Sequence, residues 1–179
     1  MRISFEFSFR GKLILPLNYN YILQGFIYDN IADWQVRNFM HNEGFTFKKR
    51  KYKLFTFSRL LGKYKIDNNN KIIQYEPNVN LEVSSYYNDF FVDFSTSVMK
   101  NELILYDQRI FLENVKVKMQ HDIKNECKIR MLSPLVVYST DSHKVTNYYS
   151  PEDERFSELI SENIKKKYQA FYNVSIDHS

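Results

Sequence analysis

The stretch YDNIADWQVRNFMHNEGFTFKKRKYK, residues 28–53, is the part of the chain around which we expect the fold to be organised. It begins inside a segment with helical periodicity, passes His41 shortly before Gly44, and ends in a run of cations. Glycine commonly ends helices, so Gly44 is the expected end of this helical segment. The stretch therefore predicts a histidine near a helix end, followed by a cationic loop that leads into the next strand.

Before this stretch, the sequence predicts one strand and one helix. Ile3–Phe9 alternates apolar and polar residues, as a half-buried strand does, and Leu13–Leu15 is interpreted as an extension of that strand after Gly11. Pro16 ends the extension. The helix is predicted from an apolar stripe with spacings of four, four and three residues, made by Leu23, Ile27, Ile31 and Trp34.

After the stretch, the chain predicts two strands, a second helix and further extended segments. The first strand is Leu54–Leu60, and the second comprises Lys71–Tyr75 and Val79–Ser85, interrupted by Pro77; the extended segments are Glu102–Ile110 and Phe111–Met119. The helix is predicted from an aromatic stripe made by Tyr87, Phe90, Phe91, Phe94 and Val98. The resulting order, β-α-β-β-α-β, predicts an α+β, ferredoxin-like (RRM-like) domain over residues 1–119.

The remaining chain predicts the first half of a second ferredoxin-like unit over residues 126–179. Gln120–Asn125 is a polar linker, and Cys127–Ser139 is a strand that Pro134 interrupts. Ser150, followed by Pro151, predicts the start of a capped helix. Its expected core face is Phe156, Ile160, Ile164, Tyr168 and Phe171. A lone strand and helix leave an open sheet edge, so we expect this unit to dock on the first domain or to pair with a second copy of the chain.

Composition excludes several classes of protein. The 179 residues are 44% hydrophobic, as in globular proteins, and four glycines leave no Gly-rich phosphate loop. The single Cys127 excludes an internal disulfide and fits the cytoplasm, and His121, His143 and His178 lack zinc-ligand spacing. We expect no metal or other cofactor. No signal peptide precedes the first strand, and no apolar run reaches the ~20 residues of a membrane span. A net charge of +4 is a mild bias toward polyanions.

Three segments together resemble one family. LPLNYNYILQGFIYDNI (Leu15–Ile31), KLFTFSRL (Lys53–Leu60) and MLSPLVVYS (Met131–Ser139) are similar, in this order, to the repeat-processing endoribonucleases of CRISPR systems. These are the sixth CRISPR-associated protein, within the repeat-associated mysterious protein (RAMP) superfamily. The resemblance implies two ferredoxin-like domains and metal-independent cleavage of CRISPR repeat RNA, which leaves a 2′,3′-cyclic phosphate and a 5′-hydroxyl.

The same resemblance implies three catalytic residues. The family's tyrosine falls on Tyr28, its histidine on His41 and its lysine on Lys53, so all three residue types are kept. Histidine can move protons at neutral pH, as general base on the 2′-hydroxyl or as general acid on the leaving oxygen, and lysine can stabilise charge on the phosphate. One departure is that this chain stops before the Gly-rich loop with which family members end.

RNA contacts are expected beside these residues. Cations such as Lys48, Lys49, Arg50 and Lys51 would form a flexible loop in solution and clamp a phosphate backbone near RNA, with Tyr52 and Arg59 as further contacts. Two alternatives to the ribonuclease remain open. The first is a repeat-RNA-binding protein without catalysis, and the second is a structural subunit of a CRISPR effector complex.

Overall fold

The computed structural model describes residues 1–118, 126, 128 and 134–174. The strands in these residues are β1 Arg2–Ser8, β2 Leu13–Pro16, β3 Phe45–Phe47, β4 Arg50–Tyr52, β5 Phe55–Phe57, β6 Tyr64–Asp67, β7 Ile72–Tyr75, β8 Val79–Ser85, β9 Leu103–Leu105, β10 Gln108–Lys118, β11 Val137–Thr140 and β12 Thr146–Tyr149. The helices are α1 Asn20–Asp29, α2 Trp34–Asn38, α3 Asn88–Lys100 and α4 Glu154–Tyr172, and a π-helical turn spans Phe39–Glu43.

The chain divides into two compact units, each of which draws on two separate stretches of sequence. The first unit is Met1–Gly44 with Lys53–His121, and the second is Phe45–Tyr52 with Asp122–Ser179. The short segment that contains β3 and β4 thus belongs to the second unit, although the first unit surrounds it in sequence. The predicted linker, residues 120–125, and the domain boundary placed there lie outside the described residues.

The first unit is built on a five-stranded antiparallel sheet in the order β5-β8-β1-β10-β9. Without β9, the four remaining strands and the helices α1 and α3 have the order β-α-β-β-α-β along the chain. β1 lies in the middle of this sheet, hydrogen-bonded to β8 on one edge and to β10 on the other. Its alternating apolar residues pack on one face of the sheet. The ferredoxin-like prediction is confirmed.

Aromatic residues of β1 hold the two long helices of this unit on the sheet. The Phe5 ring meets the Phe94 ring of α3 edge to face at 5.3 Å, and the Phe7 ring meets the Phe26 ring of α1 at 5.9 Å. All four side chains are buried. Burying each phenylalanine contributes roughly 1.5–3 kcal/mol, so these contacts fix where α1, and the site at its end, lie on the sheet.

The apolar stripe predicted for the first helix extends beyond the end of that helix at its last two members, Ile31 and Trp34. α1 ends at Asp29, and the Asp33 side chain accepts hydrogen bonds from the backbone N–H groups of Gln35 and Val36, which starts a separate helix. Ile31 remains buried, whereas the Trp34 side chain is 66% exposed. A new N-cap resets the helix direction, so the periodicity of α1 does not continue into α2.

The extension predicted for the first strand is instead a separate strand. The chain turns at Gly11, whose φ of +73° is a conformation that glycine adopts at little cost. β2 then pairs with β7, and β7 pairs with β6, in a three-stranded antiparallel sheet. Next to this sheet the buried hydroxyls of Tyr19 and Tyr75 share a hydrogen bond of 2.7 Å.

Within the described residues, the second unit contains two hairpins and one long helix. β3 pairs with β4, β11 pairs with β12, and the Phe45 ring of β3 packs on the Phe171 ring of α4 at 5.1 Å. The sequence predicted one strand before the helix and missed β12. Of the predicted strand over residues 127–139, residues 127 and 129–133 lie outside the described part, Pro134–Val136 is not strand, and β11 begins at Val137.

Two predictions for α4 are wrong. The helix begins at Glu154, because the Asp153 carboxylate accepts a hydrogen bond from the Ser150 N–H at 2.7 Å and closes a turn where the helix was expected. Its apolar face is also not a core: Phe156, Ile160 and Phe171 are half-buried, whereas Ile164 and Tyr168 are exposed. None of the described helices is long and apolar enough to cross a membrane.

Candidate active site

His41 is presented by an unusual turn in the first unit. The short helix α2 runs into the π-helical turn Phe39–Glu43, which closes with a 2.7 Å hydrogen bond from the Gly44 N–H to the Phe39 carbonyl. Gly44 has φ +73° and ψ −179°, a combination open essentially to glycine alone. The predicted helix end at Gly44 is confirmed. Single π turns are frequent at functional sites, and this one leaves the His41 side chain exposed.

Tyr28 lies beside His41. Their rings meet edge to face with centroids 4.9 Å apart, and the Tyr28 hydroxyl donates a hydrogen bond to the Met40 carbonyl at 3.3 Å. Burial raises the pKa of the Tyr28 phenol, and a hydrogen bond with the Gln24 side chain lowers it by less. The phenol is therefore neutral at physiological pH, where it can donate a hydrogen bond but cannot serve as a base.

An open groove of about 440 Å³ runs along these two side chains. α1 supplies Tyr28 to its wall, α2 supplies Trp34 and Arg37, and the π turn supplies His41. The full lining is Gly25, Tyr28, Asp29, Trp34, Arg37, Asn38, His41 and Asn42. The groove thus combines a proton carrier, a phenol, a guanidinium and an exposed indole within one unit of the fold.

Lys53 lies next to the strand whose first residue contacts Tyr28. It precedes β5 by two residues, and Phe55, the first residue of that strand, packs on the Tyr28 ring at 5.8 Å. The Lys53 side chain is half-buried and its Nζ atom is buried. The next residue, Leu54, has φ +48°, which is strained for a branched side chain. The Ser85 hydroxyl donates a 3.1 Å hydrogen bond to the Leu54 carbonyl and holds that conformation.

The cations predicted to form a flexible loop form a hairpin in the second unit. Lys48 and Lys49 make its turn, with Lys48 at φ +53°, and Arg50 and Lys51 follow in β4. All four side chains are exposed, and the Lys48 Nζ lies 5.5 Å from the centre of the Phe47 ring. Tyr52 is the last residue of the hairpin. Its side chain is half-buried and its hydroxyl oxygen is buried, so it is less exposed to solvent than the four cations.

Arg59 does not join the Tyr28–His41 pair. It is exposed and follows β5, at the end of the strand opposite to Lys53. Its charge acts on the buried Tyr75 hydroxyl, where it is the smallest of several influences on the Tyr75 pKa. The structure thus brings Tyr28 and His41 together, places Lys53 two residues before Phe55, whose ring packs on Tyr28, and places Arg59 beyond the other end of β5.

Sequence reasoning missed the groove residues that surround His41. The sequence predicts Trp34 in the core stripe and assigns no role to Arg37, Asn38 or Asn42. The available signal was Asp33, a residue favoured at helix starts, which precedes Trp34 and separates it from the α1 periodicity. Across residues 1–118, 126, 128 and 134–174, no group of three or more His, Cys, Asp or Glu side chains is arranged to hold a metal ion.

Comparison with known protein families identifies the family of this chain. A family model described as CRISPR-associated protein Cas6, N-terminal, matches residues 14–116, which is more than half of the chain. The chain belongs to the Cas6 family. A second model, described as CRISPR associated protein Cas6, C-terminal, matches residues 113–178. The predicted family membership is therefore confirmed, and the two Cas6 matches together span nearly the whole chain.

Individual Cas6 relatives support the same assignment. The CRISPR-associated endoribonuclease Cas6 1 of Methanocaldococcus jannaschii is 27% identical over 183 residues, covering 99% of this chain and 69% of that protein. A solved structure described as CRISPR associated protein Cas6 matches with 27% identity and a TM-score of 0.66, over 99% of this chain and 73% of the other. A Cas6-related protein from Pyrococcus furiosus, 20% identical with a TM-score of 0.73 over 99% of this chain and 73% of its own, shares the fold.

Proposed function

We propose that this chain is a metal-independent endoribonuclease that cleaves CRISPR precursor RNA within its repeats. The single observation that carries the proposal is the 4.9 Å contact between Tyr28 and His41 on an open groove, in a chain of the Cas6 family. Histidine can accept and donate protons near neutral pH, and RNA carries its own nucleophile, the 2′-hydroxyl. A groove that presents an imidazole to an RNA strand therefore has the minimum chemistry for transesterification.

The proposed reaction forms one bond and breaks one bond at phosphorus. The 2′-oxygen attacks the adjacent phosphate while a base takes its proton. The bond from phosphorus to the 5′-oxygen of the next nucleotide then breaks, and an acid gives that oxygen a proton. The products are a 2′,3′-cyclic phosphate and a 5′-hydroxyl. His41 is proposed for one of the two proton transfers, each of which contributes roughly 10²–10⁴-fold to the rate when the group is well placed.

The other two residues have distinct proposed roles. The neutral phenol of Tyr28 is suited to donate a hydrogen bond to a phosphate oxygen or to hold the 2′-hydroxyl, because its raised pKa excludes a role as base. Lys53 is proposed to stabilise the negative charge that develops on the non-bridging oxygens. A buried ammonium acts strongly on such a charge, since little water screens it.

Binding of the RNA is proposed to use the exposed cations of the β3–β4 hairpin, Lys48, Lys49, Arg50 and Lys51, with Tyr52 and Arg59 as further contacts. A structural neighbour described as a RAMP protein binding different RNA substrates, 23% identical with a TM-score of 0.72, shares the fold. The protein is proposed to act in the cytoplasm, either paired with a second copy of the chain or as part of a CRISPR effector complex.

The test is incubation of the purified protein with end-labelled repeat RNA in EDTA. Cleavage is expected, with a downstream product whose 5′-hydroxyl accepts phosphate from a polynucleotide kinase. The upstream product should resist phosphatase until acid opens its cyclic phosphate. A shift in gel mobility without cleavage would support the RNA-binding alternative. If the protein neither binds nor cleaves the RNA, the proposal is overturned and the structural alternative is favoured.

A further inference from the structure

A chain of hydrogen bonds leads from the His41 ring to a carboxylate. The His41 Nδ1 lies 2.7 Å from the Asn42 Oδ1, and the Asn42 Nδ2 donates to the Asn38 Oδ1 at 2.7 Å. The Asn38 Nδ2 in turn donates to the Glu43 Oε1 at 2.6 Å. Two asparagine side chains thus connect the imidazole to the Glu43 carboxylate, and the roles proposed above give none of these three residues a task.

The carboxylate fixes the direction of every bond in this chain. An ionised carboxylate only accepts hydrogen bonds, so Asn38 must turn its NH₂ group toward Glu43. The Asn38 oxygen then faces Asn42 and must receive a donor, which turns the Asn42 NH₂ group toward Asn38. The Asn42 oxygen is left for His41, and an oxygen acceptor requires that the His41 Nδ1 carry a proton.

The π turn is what makes this chain possible. Asn38 and Asn42 are four residues apart, the spacing that aligns side chains on a helix. Glu43 is five residues after Asn38, and at 100° per residue it would lie about 140° away around an α-helix. The wider turn Phe39–Glu43 removes much of that offset, so Asn38 reaches Glu43 and Asn42 together. The π turn therefore brings Asn42, Asn38 and Glu43 into a hydrogen-bonded relay that ends at His41.

We infer that Asn42, Asn38 and Glu43 are positioning residues that hold neutral His41 in the tautomer protonated at Nδ1, so that Nε2 is the nitrogen that exchanges a proton with the RNA. The second part of this statement rests on the proposed ribonuclease function, whereas the first part does not. With Nδ1 engaged by Asn42, a neutral ring offers a lone pair at Nε2 and a charged ring offers a proton there. The reacting atom is the same whether His41 acts as base or as acid.

The tautomer can be measured directly without any RNA. Nitrogen-15 NMR of the full chain, labelled at histidine and recorded where the imidazoles are neutral, distinguishes a proton on Nδ1 from one on Nε2. His41→Gln identifies the His41 signals among those of the four histidines. We expect the Nδ1–H form in the wild-type protein and in Asn42→Asp, which keeps an oxygen acceptor. Asn42→Ala is expected to shift the population toward Nε2–H, and Glu43→Gln to shift it part of the way.

Cleavage provides the second readout. Asn42→Ala is expected to lower the single-turnover rate about tenfold while RNA affinity stays within about twofold, and Asn42→Asp is expected to restore much of the rate. Asn68→Ala, an exposed asparagine in the turn after β6, is the matched control. An Nε2–H tautomer in the wild-type protein, or no change in Asn42→Ala, would overturn the inference even if the protein cleaves RNA. Absence of cleavage from a wild-type protein with the Nδ1–H tautomer would overturn the proposed function and leave the relay standing.

Discussion

The Asp93 carboxylate of α3 accepts a hydrogen bond from the backbone N–H of Ala32 at 2.7 Å. The same carboxylate lies 3.3 Å from the N–H of Asp33, the residue that caps α2. α3 is anchored in the core through Phe94, and α2 leads directly into the turn that carries His41. One carboxylate therefore ties the loop that begins the candidate site to a helix that is packed on the central sheet.

Replacing this carboxylate is expected to loosen the site. Asp93→Ala should lower the free energy of unfolding by about 1.5–3 kcal/mol, the usual contribution of a hydrogen bond to a charged group. RNA cleavage should fall more than RNA affinity, because His41 would lose its fixed position. Chemical denaturation and single-turnover kinetics measure the two effects. Asp107→Ala, in the exposed turn before β10, is the control. Unchanged stability and cleavage would show that the loop is held by other contacts.

Removal of the imidazole is expected to abolish most of the chemistry. His41→Ala should slow cleavage by about 10²-fold or more and leave RNA affinity within a few-fold, because a proton transfer is lost and no large contact area is removed. Single-turnover rates and binding curves on the same RNA separate the two quantities. His143→Ala removes an exposed histidine of the second unit and should have little effect. Wild-type cleavage rates in His41→Ala would contradict the proposed role of His41 in proton transfer.

The nucleophile is expected to come from the RNA itself. A repeat RNA with hydrogen in place of the 2′-hydroxyl at the scissile nucleotide should bind normally and resist cleavage, since the proposed attack cannot occur. The same substitution one nucleotide away is the control and should permit cutting. Cleavage of the first substrate at its original position would mean that water, or a protein group, attacks the phosphorus.

The β3–β4 hairpin is expected to contribute the salt-dependent part of RNA binding. Changing Lys48, Lys49, Arg50 and Lys51 to alanine should weaken binding and flatten the plot of log affinity against log salt concentration. If all four cations contact phosphates of a single strand, the slope should fall by about 3, since each contact contributes about 0.7. Four other exposed lysines, Lys63, Lys65, Lys165 and Lys167, form the control set. An equal effect of both sets would show that the hairpin cations contribute no more to RNA binding than other surface lysines do.

The buried Tyr75 hydroxyl is expected to make stability fall at high pH. Burial, followed by the hydrogen bond with Tyr19, raises the pKa of Tyr75 far above its usual range. Below about pH 10 the phenol is protonated in both states, so its full contribution to stability is present. Above that pH the unfolded chain releases the proton while the folded chain keeps it. The free energy of unfolding then falls by up to about 1.4 kcal/mol per pH unit until the folded pKa is reached.

Comparison with Tyr75→Phe isolates this effect. The variant should be less stable at neutral pH by about 1 kcal/mol, because hydrogen bonds are lost, and its disadvantage should shrink as the pH rises above 10. Denaturant unfolding at a series of pH values measures the difference, in which the titration of the other groups cancels. Tyr21→Phe, at a tyrosine that is 58% exposed, should follow the wild-type curve. A constant gap between wild-type protein and Tyr75→Phe would contradict the argument.

Local patterns in the sequence predicted most of the first unit. The alternation of Val79–Ser85 matches β8 residue for residue, because one face of that strand is buried along its whole length. The aromatic stripe from Phe90 to Val98 lies within α3 and is buried. Elements of this kind are set by their own periodicity, so a single sequence suffices to recognise them. The family resemblance, carried by short motifs, added Tyr28 and His41, which the structure brings together.

Several of the predictions that failed depend on partners distant in sequence. The sequence places Trp34 in the α1 stripe; Asp33 is a local signal for a new helix start, but nothing local shows that Asp93, far along the chain, binds the loop before α2. The cations after Phe47 were read as a loop because the hairpin's packing partner is in α4. The side-chain relay at His41 depends on a π turn, a distortion for which the helical period gives no signal. Contacts of this type become visible only in three dimensions.

The division of the chain into interleaved units also dictates an order of events during translation. Phe45 leaves the ribosome early, whereas Phe171, on which its ring packs, is made near the end of the described chain. At roughly 5–20 residues per second, the β3–β4 hairpin spends seconds without the α4 surface that it contacts in the finished unit. During this interval the strands of the first unit, which precede and follow the hairpin in sequence, can already pair with one another. The four exposed cations of the hairpin would protect Phe45 and Phe47 from aggregation until α4 is made. This role is separate from any contact with RNA.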